Sequence, residues 1–173
     1  MHQKIKTEKL TQIALIAAVY TALTIMFAPI GFGVVQFRIS EALTMLAIFS
    51  PYSAVAVTLG CFVSNLIGMF MGVTVIWDVI FGTLATAIAA LLSYMFRNVR
   101  IKNLPVLSAL MPVIFNALII GIMLSFVFSD NNSMSIMLMN IFSVGIGEFV
   151  VCFLFGIPLA MVLEKSGIDR YFK

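Results

Sequence analysis

Seven charged or amide side chains stand inside stretches that are otherwise apolar: Arg38, Glu41, Asp78 and Glu148, with Asn65, Asn116 and Asn140. Such groups are costly in hydrocarbon and usually face a cavity or a partner. Asn140, Val144 and Glu148 recur at i, i+4 and i+8, so they share one helical face, with Ser143 and Gly147 beside it. Carboxylates, amides and a guanidinium together can hold a small polar molecule by charge-assisted hydrogen bonds. Other chemistry lacks its parts. No GxxxxGK[ST] loop is present to bind ATP, and no GxSxG elbow. His2 is the only histidine, and no His/Cys/Glu cluster suits zinc. The segment GIGEF offers Glu148 without a clear partner carboxylate. An enzyme is therefore not expected, and no cofactor or metal is called for. Cys61 and Cys152 stand alone in apolar runs and read as plain core residues.

The elements that must position these groups follow from composition. The chain has 173 residues, 62% hydrophobic and 10% charged, against roughly 25% charged in soluble domains. Bilayer hydrocarbon is the natural solvent for so much apolar surface. Scattered charges exclude a basic face for nucleic acid. Apolar runs extend over about 10–28, 39–49, 53–70, 76–96, 105–128 and 134–163. The second is short for a full crossing, and Pro51 ends it. The expected fold is an all-α membrane protein of six transmembrane helices, one integral domain over 1–173, with tails at 1–9 and 164–173. The first run has no small-residue cleavage site at its end and is expected to remain as a helix. Positively charged segments stay in the cytoplasm. Nine of the ten Lys and Arg residues lie in the N-tail, the segment 97–102 and the C-tail. Six crossings put all three on one side, with both termini cytoplasmic. Arg38 alone falls on the other side.

At ~1.5 Å per residue, Arg38 and Glu41 fall at the outer end of the second run, and Trp77 and Asp78 open the fourth. Asn65 and Asn140 lie in outer halves, Asn116 and Glu148 near the midplane. Together they describe a pocket open to the outside. Structural readings stand beside this one. Arg38 and Glu41 also suit an i, i+3 ion pair, Ser40 a helix cap, and Asp78 a helix N-terminus. Trp77 suits an aromatic belt. The three asparagines suit hydrogen bonding between helices. On the first run, Ala14, Ala18 and Ala22 recur every four residues beside Ala17, a small-residue stripe that allows close helix approach, within the bundle or outside it.

With those residues in view, the chain resembles the S components of energy-coupling-factor (ECF) transporters, and within them the QueT family of queuosine-precursor transporters. The resemblance runs from about Lys9 to Leu163. It is most specific in VVQFRISEALTMLAIFSPYSAVAVTLGCFVSNLIG, residues 34–68, and next in WDVIFGTLATAIAALLSY, residues 77–94. It implies an S-component-like six-helix bundle without ATPase activity of its own. It implies that Ala14, Ala18 and Ala22 match a motif that docks on a transmembrane coupling subunit, which joins two cytoplasmic ATPases. It implies capture of substrate at the outer side, then toppling to release it inward.

The substrate so implied is a 7-deazaguanine, in some forms carrying an aminomethyl cation. Its guanine-like edge sets two N–H donors beside a carbonyl. A carboxylate can accept the donors, an amide or guanidinium can serve the carbonyl, and an aromatic ring can stack on the base. Glu148, Asp78 and Glu41 supply carboxylates. Arg38, Gln36, Asn65, Asn116 and Asn140 supply donors, and Phe37 and Trp77 supply rings. Glu148 or Asp78 is expected at the base edge. Competing readings are an S component for another vitamin or base, a solitary ion-coupled transporter using Glu148, and an assembly protein.

Overall fold

Long runs of Leu, Ile, Val, Ala and Phe with few breakers form helices throughout. The computed structural model describes residues 2–31, 36–128 and 133–172. Residues 32–35 of the first loop, most of the polar turn SDNNS and Lys173 of the C-tail lie outside the described residues. In chain order the elements are α1 (His2–Met26), α2 (Ala28–Gly31), a 3₁₀ helix (Ile39–Ile48), α3 (Pro51–Phe70), a π-helical turn (Asp78–Gly82), α4 (Thr83–Met95), α5 (Val106–Phe128), α6 (Met134–Val151), a second π-helical turn (Cys152–Gly156), α7 (Ile157–Ser166) and a closing 3₁₀ turn (Ile168–Tyr171).

Five stretches are long and apolar enough to cross a membrane: Thr7–Met26, Pro51–Phe70, Asp78–Met95, Val106–Val127 and Met134–Ser166. The second apolar run is not among them. It forms the ten-residue 3₁₀ helix. At ~2 Å rise per residue that segment spans ~20 Å, against ~30 Å of hydrocarbon. Eight of its ten residues are buried. It touches α1, α3, α4, α5, α6 and α7, so the long helices are arranged around it. Pro51, where the run ends, opens α3. Its missing N–H costs nothing at the first turn, and the Ser50 hydroxyl caps the helix by accepting from Tyr52 N at 3.2 Å.

One end of the bundle gathers the basic segments. Lys9 Nζ donates to the Phe172 carbonyl at 3.3 Å and lies 5.5 Å from the centre of the Tyr52 ring. Phe49 and Phe172 pack with ring centres 5.8 Å apart. Arg100, between α4 and α5, pairs with Glu164 at 2.6 Å. The start of α1, the start of α3, the α4–α5 connection and the C-terminal segment therefore meet.

Elsewhere, neighbouring helices pack α1 on α3, α3 on α4, α4 on α5, and α5 on α6. The last pair is close because Gly121 has no side chain: a Cβ there would stand 2.6 Å from Ile141 Cα. Gly121→Val should therefore cost ~1–3 kcal/mol by overpacking, read as a lower melting temperature in detergent. An unchanged melting temperature would show that α5 and α6 do not meet there.

Candidate binding site

The 3₁₀ helix repeats every three residues, so Arg38 at its N-cap, Glu41 and Thr44 stack on one face. Glu41 is fully buried, yet both carboxyl oxygens are satisfied. Oε1 accepts from Tyr20 Oη of α1 at 2.5 Å and from Thr86 Oγ1 of α4 at 3.0 Å; Oε2 accepts from Thr44 Oγ1 at 2.8 Å. Ser40, read from sequence as a helix cap, instead accepts from Thr24 of α1 at 2.7 Å, and the helix has no side-chain cap. Arg38 donates to Asn65 Oδ1 at 3.3 Å and to Cys61 Sγ at 3.4 Å. Asn65 in turn donates to the Asp78 carbonyl at 3.0 Å, joining α3 to the turn before α4. Asp78 Oδ2 accepts from Val75 N at 2.9 Å, closing that turn as a helix-start carboxylate does.

Glu148 on α6 has the opposite surroundings. It is 1% exposed. Its Oε2 has only the Cys152 thiol at 3.8 Å, and its Oε1 has no hydrogen-bond partner. Asn116 on α5, also 1% exposed, makes no close hydrogen bond through either amide atom, and its amide faces the Glu148 carboxyl as a weak donor. Asn116, Glu41 and Arg38 all lie near enough to Glu148 to influence its charge. Buried polar atoms without partners are expensive, at ~1–3 kcal/mol each. A carboxylate and an amide left open side by side form the set in this core best suited to an incoming ligand. The Gln36 backbone lies directly against α6 next to Glu148: a Cβ on Gly147 would stand 2.1 Å from the Gln36 carbonyl oxygen. The absent side chain is what lets that backbone lie across α6 beside Glu148.

The remaining candidates divide. Gln36 is buried, and Phe37 is half-buried with its N–H donating to Ile30 O at 3.0 Å. Asn140 donates to Ser125 Oγ of α5 at 3.0 Å, which is interhelical bonding. Trp77 is 45% exposed. It stacks on Phe81 at 6.0 Å and lines an apolar groove of about 620 Å³ with Ile119, Met123 and Phe126 of α5. That groove lies apart from the Glu148–Asn116 pair, whose residues do not line it. Ala14, Ala18 and Ala22 are exposed, whereas Ala17 and Tyr20 face inward. Residues that sequence reasoning passed over are Tyr20, Thr44 and Thr86, which hold Glu41, and the two cysteines. Cys61 accepts from Arg38, Asn65 and Thr86, and Cys152 lies against Glu148 and the Glu41 carbonyl. Only Thr44, three residues from Glu41, carried a local signal. Among the described residues no cluster of ligands could hold a metal ion.

A family model described as "QueT transporter" matches residues 10–165, nearly the whole bundle. The chain belongs to the QueT transporter family. It is thus a multi-pass membrane protein of a transport family, not one of catalysts. A protein of Lactococcus lactis subsp. cremoris (strain MG1363), named "Queuosine precursor transporter QueT", is 40% identical over 88 residues. That alignment covers 50% of this chain and 49% of the relative, so the match spans about half the length of each. No solved structure matches the chain.

The two carboxylates should respond differently to neutralisation. Glu41→Gln disturbs three hydroxyl donors and should cost ~1.5–3 kcal/mol. Glu148→Gln replaces a carboxyl that the protein leaves partly unsatisfied, so stability without ligand should stay level or rise. Thermal melts of both variants decide; equal losses would mean that Glu148 is as structural as Glu41.

Proposed function

We propose that this chain is the substrate-binding subunit, an S component, of an ECF-type ATP-driven importer, and that it captures a queuosine precursor. The substrate would be a 7-deazaguanine base such as 7-aminomethyl-7-deazaguanine or queuine, taken from outside and delivered to the cytoplasm. The observation that carries this reading is the open pair of Glu148 and Asn116 in the bundle core. The Glu148 carboxylate accepts the adjacent N–H donors of the base edge, and the Asn116 amide donates to its carbonyl. Of the two carboxylates expected there, Asp78 has an oxygen engaged by the Val75 amide, which favours Glu148. Phe37, next to the buried Gln36, is better placed than Trp77 to cover the base.

The chain crosses the membrane six times, the 3₁₀ helix and its flanks making the second crossing inside the bundle. Both termini lie in the cytoplasm, because the basic segments gathered at one end stay inside. The exposed face of Ala14, Ala18 and Ala22 on α1 meets the transmembrane coupling subunit, and two cytoplasmic ATPases supply the energy. Support for that role comes from the position of α1. Among the described residues α3 is its main partner of the long helices, and Ala14, Ala18 and Ala22 stay exposed to a close-packed partner.

Calorimetric titration of the purified chain with 7-aminomethyl-7-deazaguanine tests the site. Glu148→Gln should weaken binding at least tenfold, and unchanged affinity would refute the assignment. Ala18→Leu should leave binding intact while abolishing uptake by cells that carry the ATPase module. Uptake that persists without that module would point instead to a solitary transporter.

A further inference from the structure

A groove of about 570 Å³ lies between α3 and α4. Both belong to stretches long and apolar enough to cross the membrane. The floor of the groove is low because its residues are small: Ala54 and Thr58 from α3, Ala87 from α4. Exposed Val55, Phe62 and Leu91 stand higher and form the rims. The groove runs from Pro51 to Phe62 on α3 and, antiparallel, from Tyr94 to Thr83 on α4. Eleven steps along each helix, at ~1.5 Å each, give ~16 Å. That is about half of the ~30 Å hydrocarbon core. The groove thus covers one leaflet, at the basic end of the bundle, where Pro51 opens α3 and Tyr94 lies in the last turn of α4.

Two cations flank that end. Arg97 Cζ lies 4.0 Å from the centre of the Tyr94 ring, and Tyr94 lines the groove. On α3, Tyr52 shares a helical face with the lining residues Val55 and Leu59, and Lys9 lies over its ring. Among the described residues neither cation pairs with a carboxylate, whereas Arg100 pairs with Glu164. Each keeps N–H donors beyond the one it gives to a backbone carbonyl. Among the described residues, neither the groove beside Trp77 nor the one between α5 and α6 has a lysine or arginine over its rings.

We propose that this groove seats one acyl chain of an anionic phospholipid, with the lipid phosphate at Arg97 and Lys9 adding to the attraction. Any apolar trough in a bilayer meets lipid tails, so the tail fixes the place and the headgroup fixes the choice. The Arg97 guanidinium suits a phosphate, because its planar fork donates two parallel hydrogen bonds. Contact with the Tyr94 ring holds that fork at the mouth of the groove. A zwitterionic headgroup carries its own ammonium, which offsets the attraction; an anionic headgroup does not. A second transmembrane helix fits less well. It needs a face running the full hydrocarbon thickness, and this groove ends halfway.

Native mass spectrometry of the purified full-length chain tests this, with phosphatidylglycerol and phosphatidylcholine of matched acyl chains as probes. Phosphatidylglycerol should be retained about fivefold more than phosphatidylcholine. Arg97→Gln should bring that ratio down to about twofold or less. Ala87→Phe fills the trough and should reduce retained phosphatidylglycerol to the level of phosphatidylcholine. Should Ala87→Phe not fold, Thr58→Leu fills the same trough from α3. Equal retention of both lipids by the wild type would overturn the proposal. So would a preference that survives Arg97→Gln, or one that survives filling of the trough, because the lipid would then sit elsewhere. A chain dimer that carries no phospholipid and is lost in Ala87→Phe would also overturn it, by assigning the groove to a second copy.

Discussion

The carboxylate of Glu41 is fully buried in the middle of the bundle, held by the hydroxyls of Tyr20, Thr44 and Thr86. Each donor comes from a different element: α1, the 3₁₀ helix itself, and α4. A charge so deep is tolerable only if every lone pair is met, because an unmet one costs its full desolvation. That requirement fixes where α1 and α4 stand relative to the short helix. Three-residue periodicity adds to the constraint. It sets Arg38, Glu41 and Thr44 in one column, which an α-helix would fan apart by about 60° per step. The ten-residue 3₁₀ segment is longer than such helices usually run, and burial on nearly every side holds it in place.

Against that satisfied group, Glu148 stands out. The same residue type, in the same core, has one oxygen without a close partner, beside an asparagine that makes no close hydrogen bond. The difference is one of neighbours, not of depth, since both glutamates are almost wholly buried. One carboxylate joins the helices; the other keeps an oxygen without a partner. For a transport family, an open polar pair in a preformed core suits recognition of a small ligand. The Arg38 guanidinium bonds to Asn65 and Cys61, yet its charge reaches both carboxylates. It links the structural and the open halves of the core.

The two faces of α1 show a similar division. Tyr20, Ala17 and Ile16 pack inward, while Ala14, Ala18 and Ala22 look out. An outward face without bulky knobs allows another helix to approach closely.

Much of this was legible in the sequence. The apolar runs gave the helices, and their hydropathy gave the membrane class. The basic residues marked the segments that meet at one end, and the polar intruders named Arg38, Glu41, Asn65, Asn116 and Glu148, all buried. The i, i+4 spacing of the alanines correctly placed them on one face. Tertiary structure alone decided the rest. The second run is a short 3₁₀ helix at the centre of the bundle, because a segment buried against every long helix need not span the bilayer unaided. Asn65 and Asn140 join helices, Trp77 lines an outer groove, and Cys61 and Cys152, apparently inert, touch the charged core. Of the two glutamates, which is satisfied and which is open had no sequence signal. Spacing along one chain reports which side chains share a face of one helix. The hydroxyls that satisfy Glu41 come from residues 21 and 45 positions away as well as from its own turn, and no periodicity spans that distance.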